Sequence, residues 1–546
     1  MSLSVEHLAY AHPGGDILFD DVSFKCPRGV VSALVGGNGV GKTTLMRLVA
    51  GELDALDGDI AIAGEVHYLP QDLGIGDTDV TVKELLTAVA PKHLAAAGKQ
   101  LIEVESRLIA GDDQAAFEIG DALDAWGGAG GYQLEATWDE ACRRVLGDGL
   151  SAVGDRMVST LSGGERKRLV LDVVFALDPE VVLLDEPDNF LDIPAKNWLG
   201  ECLQQCDATV LLISHDRELL STAADRIVTL EASGAWVHGA SYRTYDDARA
   251  ERQERLAADV ARWEEEERRL FQFYKTMKQR AASNHRNAAR ADAAETRWKK
   301  YVEAGPPPPP APRHQITPKL VGADSGRVVL RCDGLGVDGL VLPFSGEIHF
   351  GDRVGLVGPN GTGKSHLMRT FAGELAAGDG AFTYGARINM GYFSQMNRRV
   401  EFDDSELFEI ARRRVTNDTA AMGALGRYGL AGASDRLVDT LSGGQRARLD
   451  VMCLELDGAN LLLLDEPTDN LDLESSEVLQ DALTAFTGTV IAVSHDRAFL
   501  RSLSTFWHID ADGIVREFPD VDSVTAVLQG DVAASSVREA RVLTAD

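Results

Sequence analysis

Residues Gly36 to Thr44 read GGNGVGKTT, and residues Gly358 to His366 read GPNGTGKSH. Both copies match the pattern GxxxxGK[ST]. Each follows an apolar run, VVSALV or RVGLV, and precedes an apolar helical pattern, TLMRLVAGEL or HLMRTFAGEL. In a strand, loop and helix of this kind the glycines let the backbone wrap a phosphate, and successive N–H groups at the helix start supply positive potential. The first copy presents Gly36, Asn38, Gly39, Gly41, Lys42, Thr43 and Thr44 to a nucleotide. The second presents Gly358, Asn360, Gly361, Gly363, Lys364, Ser365 and His366. Lys42 and Lys364 are placed to reach the β/γ-phosphates, and Thr43 and Ser365 to hold magnesium.

The repetition extends outward. LSGGE starts at Leu161 and LSGGQ at Leu441, VVLLDEP ends at Pro187 and LLLLDEP at Pro467, and SHDR begins at Ser214 and Ser494. From LSGG to SHDR the copies lie 280 residues apart, whereas Lys42 and Lys364 are 364 − 42 = 322 apart. The first copy therefore carries about 42 to 44 extra residues between Gln71 and its LSGG, a helical insertion at about 84–155 by its apolar spacing. In each copy an apolar strand ends in two acids. Asp185 or Asp465 is placed to hold the metal, and Glu186 or Glu466 to orient the attacking water in phosphoryl transfer. His215 and His495 end a third apolar run and can face the γ-phosphate side.

With Gln71 and Gln395, DNFLD at 188–192 and DNLD at 469–472, these motifs resemble the ATP-binding cassette family of ATPases, in tandem. The resemblance covers roughly residues 1–240 and 325–520. It implies an α/β fold of two P-loop domains, with magnesium held by Thr43, Gln71 and Asp185 or by Ser365, Gln395 and Asp465. It also implies head-to-tail pairing, so that ATP lies between one P-loop and the other copy's LSGG. Ser442, Gly443 and Gly444 then complete the first site, and Ser162, Gly163 and Gly164 the second. Gln71, Glu186 and His215, with Gln395, Glu466 and His495, are the catalytic candidates.

Family members often stack adenine on an aromatic residue about 25 positions before the P-loop. Tyr10 sits 26 before Gly36, but the same offset before Gly358 falls on Cys332. His366 also stands where the first copy has Thr44. The two sites are expected to be unequal, the second binding nucleotide more weakly or with less base preference.

Between the copies lies a basic stretch in an acidic chain. The net charge is 54 − 85 = −31, yet residues 268–300 hold ten Lys or Arg against Asp292 and Glu295. Apolar residues at Leu256, Val260, Trp263, Leu270, Tyr274 and Met277, with Glu267 at the skipped position, form a heptad seam. Ala288, Ala291, Ala294, Trp298 and Tyr301 offer a partner face, and residues 279–287 a turn. The spacing predicts an antiparallel helical hairpin in a linker at 241–324 that ends in PPPPPAP, followed by the second domain at 325–520 and a short tail at 521–546. Lys275, Lys278, Arg280, Arg286 and Arg290 cluster toward its tip, where unpaired cations suit phosphate backbones.

A tandem chain with such a linker, entered through GASYRTYDDARAER, resembles the F subfamily, which acts on the ribosome. There the hairpin reaches toward the peptidyl-tRNA, so ribosomal RNA and tRNA are the implied partners. The first reading is a ribosome-binding ATPase that modulates translation, in one form by protecting the ribosome from an antibiotic. The second is an ATP-binding subunit that energises a separate membrane exporter, in which the basic hairpin has no role. A repair or structural-maintenance ATPase would carry a much longer coiled coil inside one copy. No stretch approaches the ~18 apolar residues of a membrane span and the six cysteines are sparse, so a cytoplasmic protein is expected. Because one chain contains both halves of the ATP sandwich that the resemblance implies, a monomer with internal pairing is the expected form, although the sequence leaves the oligomeric state open.

Overall fold

The computed structural model describes residues 3–15, 17–71, 80–231, 234–283, 288–310, 325–394, 402, 404–441, 443–469, 471–530, 534 and 540–544. They form two α/β halves joined by a helical hairpin. The main sheet of the first half runs in the order Val66–Leu69, Val181–Asp185, Thr209–Ile213, Val31–Val35, Arg226–Glu231 and Gly234–His238, the last strand antiparallel. Its central strands, VVLLD, TVLLI and VSALV, are buried at every position, as a parallel sheet covered on both faces requires. The second half repeats this order from Met390–Ser394 to Val515–Phe518. A three-stranded antiparallel sheet stands beside each main sheet. The strand order brings the P-loop, the acid pair and the histidine to one sheet edge, where open α/β sheets bind ligands.

Of residues 521–546, expected as a tail, two described segments pack on the second half. Val521–Leu528 is a helix capped by Asp520 that buries Val524 and Leu528. Arg541–Val542 then adds a strand beside Val515–Phe518, and Leu543 is buried behind it. The apolar spacing of Val521, Val524 and Leu528 carries this helix.

In the first half, Lys92–Ile109, Ala115–Gly128 and Gly131–Leu146 form three helices around Trp126 and Trp138, whose rings lie 6.0 Å apart. They share this core with Leu169 and Val173 on the helix that follows LSGG.

The linker helices are Tyr245–Ser283 and Ala288–Glu303. The polar break in the seam has a partner, since Trp298 Nε1 donates to Glu267 Oε1 at 2.8 Å. Trp298 also stacks on Tyr274 at 5.7 Å, Trp263 stacks on Tyr301 at 5.6 Å, and Ala291 and Ala294 are buried between the arms. At its root the hairpin is tied to the first half. Tyr245 and Thr229 hydroxyls hydrogen-bond at 3.0 Å, and Arg252 pairs with Glu231 while lying over Trp236. Thr229 belongs to the strand paired with the P-loop strand, so the root is one strand from the first P-loop.

One buried histidine lends the second half a pH dependence. Burial pushes the His508 imidazole down to about 4. The unfolded chain protonates this group near the ordinary 6.5 while the folded chain resists. Stability is therefore complete above pH 6.5 and falls as pH drops toward 4, by about 3 kcal/mol at most. In urea titrations at pH 7.5 and 5, His508→Leu should show a smaller shift in midpoint than the parent; an equal shift would refute this.

Candidate active site

Each P-loop helix begins at a glycine that no other residue replaces easily. Gly41 and Gly363 have φ of 102° and 92°, and a Cβ on them would lie 2.6 Å from Leu18 and 2.9 Å from Leu340. That geometry turns the first helical N–H groups toward the loop. Lys42 Nζ donates to the carbonyls of Gly36 and Gly37 at 2.8 and 3.3 Å, and Lys364 Nζ to those of Gly358 and Pro359 at 2.8 Å each. Burial lowers both lysines. A phosphate in the loop would give each ammonium an anionic partner in place of neutral carbonyls.

Asp185 is fully buried and neither carboxylate oxygen has a hydrogen bond. Burial pushes it up to about 6, with partial relief from the Thr43 hydroxyl. An orphaned buried carboxylate beside a hydroxyl is the donor set that a hard divalent cation takes. Magnesium therefore fits Thr43 and Asp185. In the second half Ser365 Oγ donates to Asp465 Oδ1 at 3.1 Å, and burial raises Asp465. Bound magnesium would neutralise phosphate charge, and these four side chains would hold it.

Glu186 and Glu466 adopt left-handed backbones, φ 48° and 47°, that cost a non-glycine residue about 1 kcal/mol or more. Each is held there by its N–H, which donates to Ile213 or Val493 at 2.9 or 3.0 Å. The result aims the carboxylate at the histidine: His215 Nε2 and His495 Nε2 both lie 3.6 Å from the glutamate Oε1. The two environments then diverge. Gln71 Nε2 and Asn189 Nδ2 donate to Glu186 Oε2 at 2.7 and 2.6 Å. Burial alone would raise Glu186, but His215 and Asn189 bring it below the ordinary carboxylate range. The residue equivalent to Asn189 is Asp469, and burial together with that acid pushes Glu466 up to about 8. Burial, with Lys364 and Lys196 nearby, holds the His495 imidazole well below its ordinary value.

The halves face each other head to tail. A cavity of about 390 Å³ is lined from the second half by Gly361, Gly363, Lys364, Ser365, His366, Glu466 and His495. Ser162, Gly163 and Gly164 close it from the first half, where Ser162 accepts from Glu165 N as the helix cap. Gly164 lies so close to Phe190 O and Asn360 Nδ2 that a Cβ would come within 2.8 and 2.9 Å of them. Asn360 Nδ2 itself donates to Phe190 O at 3.0 Å. On the other side Asn38 N donates to Asp472 Oδ2 at 2.9 Å, and Gly444 faces Asn38. Gly443 starts the helix there. Gln395 and Ser442 lie outside the described residues.

The adenine side needs a correction. Strand pairing sets Ala9 opposite Asp57 and Gly336 opposite Asp379, the first residues of matching strands. The counterpart of Tyr10 is thus Val337, while Cys332 matches Val5 and is buried in the core. Counting back from the P-loop fails because this connection is shorter in the second half, 358 − 337 = 21 against 36 − 10 = 26 residues. Tyr10 packs near His12 and Phe19; Val337 offers no ring. Lys364→Ala, which leaves the Tyr10 site, should retain a preference for ATP over GTP. Lys42→Ala should lose most of it, and equal preferences in nucleotide titrations would count against unequal sites.

Sequence reasoning passed over the arginine of each SHDR. Arg217 crosses to the second half, donating to Gln480 Oε1 at 3.1 Å and Leu473 O at 3.2 Å, and Arg497 crosses back to Asn197 Oδ1. Their place in a repeated motif was the available signal.

On the hairpin, Lys275, Arg280 and Arg290 are exposed and have no acidic partner among the described residues, while Lys278 donates to Tyr274 OH at 2.7 Å. Nearer the root, Arg269 pairs with Glu266 and Lys299 with Glu295. Arg286 lies outside the described residues. No described helix is long and apolar enough to cross a membrane.

The ABC transporter family profile matches residues 19–189 and 342–469. An "Antibiotic resistance protein" of Mycobacteroides abscessus is 41% identical, covering 94% of this chain and 98% of that one. The "Tylosin resistance ATP-binding protein TlrC" of Streptomyces fradiae is 33% identical, over 91% and 95%. "ABC transporter F family member 5" of Arabidopsis thaliana is 29% identical, over 92% and 74%. Among solved structures, "RNase-L Inhibitor" shares the fold at a TM-score of 0.56 and 19% identity, over 92% and 87%.

Proposed function

The chain belongs to the F subfamily of the ATP-binding cassette family, and from that membership we propose an ATP-hydrolysing factor that binds the ribosome in its closed state and modulates translation. In this reading ATP and magnesium occupy two composite sites, Lys42 to Thr44 with Ser442 to Gly444, and Lys364 to His366 with Ser162 to Gly164. Glu186 and Glu466 orient the attacking water, His215 and His495 hold the γ-phosphate side, and hydrolysis releases the cassettes. The hairpin meets ribosomal RNA and peptidyl-tRNA through its basic tip. Protection from an antibiotic is the form of the activity favoured by the two bacterial relatives that carry resistance in their names.

The observation that carries the reading is the junction of switch and probe. The cassettes close around a cavity whose two walls come from opposite halves, and the hairpin root is tied to the strand beside the first P-loop. A cassette motion driven by nucleotide thereby moves the basic tip as a rigid extension. A 39-residue first arm spans about 58 Å at ~1.5 Å per residue, so a small rotation at the root becomes a large displacement at the tip. Sedimentation of the chain with ribosomes through a sucrose cushion tests the proposal. Pelleting with ATP that weakens with ADP is expected; pelleting indifferent to nucleotide, or none, would reject it.

A further inference from the structure

Lys196 is a buried lysine in an acid-lined interface, and its counterpart in the other cassette, at 196 + 280 = 476, is Ser476. The difference is matched by a second one. Asp188 occupies the position of Thr468, by the same offset, so the first cassette carries a charged pair where the second carries two hydroxyls. Lys196 Nζ lies 3.1 Å from Asp216 Oδ2 in its own cassette and 3.4 Å from the main-chain oxygen of His495 in the other. It also lines the cavity that holds Lys364 and Glu466. Burial disfavours the charge, but Asp216, Asp188, Asp469 and Asp496 keep the lysine protonated, its pKa above the ordinary value.

We propose that Lys196 is a positioning residue supplied in trans to the second ATP site, fixing the His495 backbone and through it Glu466 only when the cassettes are closed. The link is continuous: Lys196 donates to the His495 carbonyl, and the His495 N–H donates to Glu466 Oε2 at 3.2 Å. A lysine spans this gap and a serine does not, so the first site has no mirror link from Ser476 to His215. An ammonium that touches the opposite cassette holds its target loop only in the closed state. Glu466 is pushed up by burial and Asp469, whereas at the equivalent position Asn189 donates to Glu186. The inference rests on the two-site ATPase reading.

Each site is isolated in the full chain by Glu186→Gln, which leaves the second, or Glu466→Gln, which leaves the first. In the Glu186→Gln chain, Lys196→Met should lower kcat about tenfold or more with KM for ATP changed less than about threefold, as expected for loss of a buried charged donor. In the Glu466→Gln chain the same change should cost less than about threefold in kcat. Lys196→Arg, which keeps a cation, should recover most of the second-site rate.

The double variant Asp188→Thr, Lys196→Ser gives the first cassette the neutral pair of the second and leaves Asp188 no longer an unpaired acid. It should remain as slow at the second site as Lys196→Met. Recovery in the double variant, or equal losses at both sites, would overturn the inference and make Lys196 a charge balance of the closed interface. If the single-site parents hydrolyse ATP and Lys196→Met does not slow the second site, the inference alone falls. Parents that hydrolyse nothing would overturn the ATPase reading and the inference with it.

Discussion

Replacing both Glu186 and Glu466 by Gln should lower ATP turnover by about two to three orders of magnitude while leaving ATP binding intact. Glutamine has the shape to occupy the same left-handed position and accept the Ile213 and Val493 backbone geometry, φ 48° and 47°, that aims the side chain. It lacks the charge that draws a proton from water. The P-loop lysines and the carboxylates of Asp185 and Asp465 are untouched, so nucleotide and magnesium are still held. Arrested before hydrolysis, the cassettes should stay closed and the protein should pellet with ribosomes in ATP far more completely than the parent. Turnover is read from phosphate release and binding from nucleotide titration. Turnover within about threefold of the parent would remove these glutamates from the chemistry. Lost turnover with intact ATP binding but no ribosome pelleting would leave an ATPase and sink the translation reading.

The second large effect lies at the other end of the rod. Changing Lys275, Lys278, Arg280 and Arg290 together to Ala should weaken ribosome association on the order of 100-fold and flatten its salt dependence by about three units of log K per log salt, through lost counterion release. Lys275, Arg280 and Arg290 are exposed and carry no acidic partner among the described residues, so their removal costs the fold little. Lys278 also stands over the Tyr274 ring, and that contact is a small loss. ATPase activity without ribosomes should be unchanged, because these residues are remote from the cassettes. Sedimentation across a series of salt concentrations measures both quantities. An unchanged slope would mean that the tip makes no phosphate contacts.

The repeat offset placed the P-loops, acid pairs, histidines and signature glycines without reference to structure, because each motif is a short stretch whose job is set by its own backbone. The hairpin was equally legible, down to its skipped position at Glu267, since a heptad seam is a local pattern. The C-terminal strand at Arg541–Val542 was missed because two residues show no period, and it forms only where Val515–Phe518 offers an edge. The search for an adenine ring in the second cassette landed on Cys332 because counting assumes equal loops, whereas hydrogen-bond register shows a loop five residues shorter.

Sequence by itself determined two nucleotide-binding cassettes of the F subfamily, their catalytic candidates, and a basic helical hairpin between them. Tertiary structure decided what stands across the gap. Arg217, Arg497 and Lys196 each reach a partner on a segment more than 250 residues away. The environments of Glu186 and Glu466 separate through a neighbour three residues along the chain, Asn189 in one half and Asp469 in the other, whose effect on the carboxylate is large because packing buries the pair away from water.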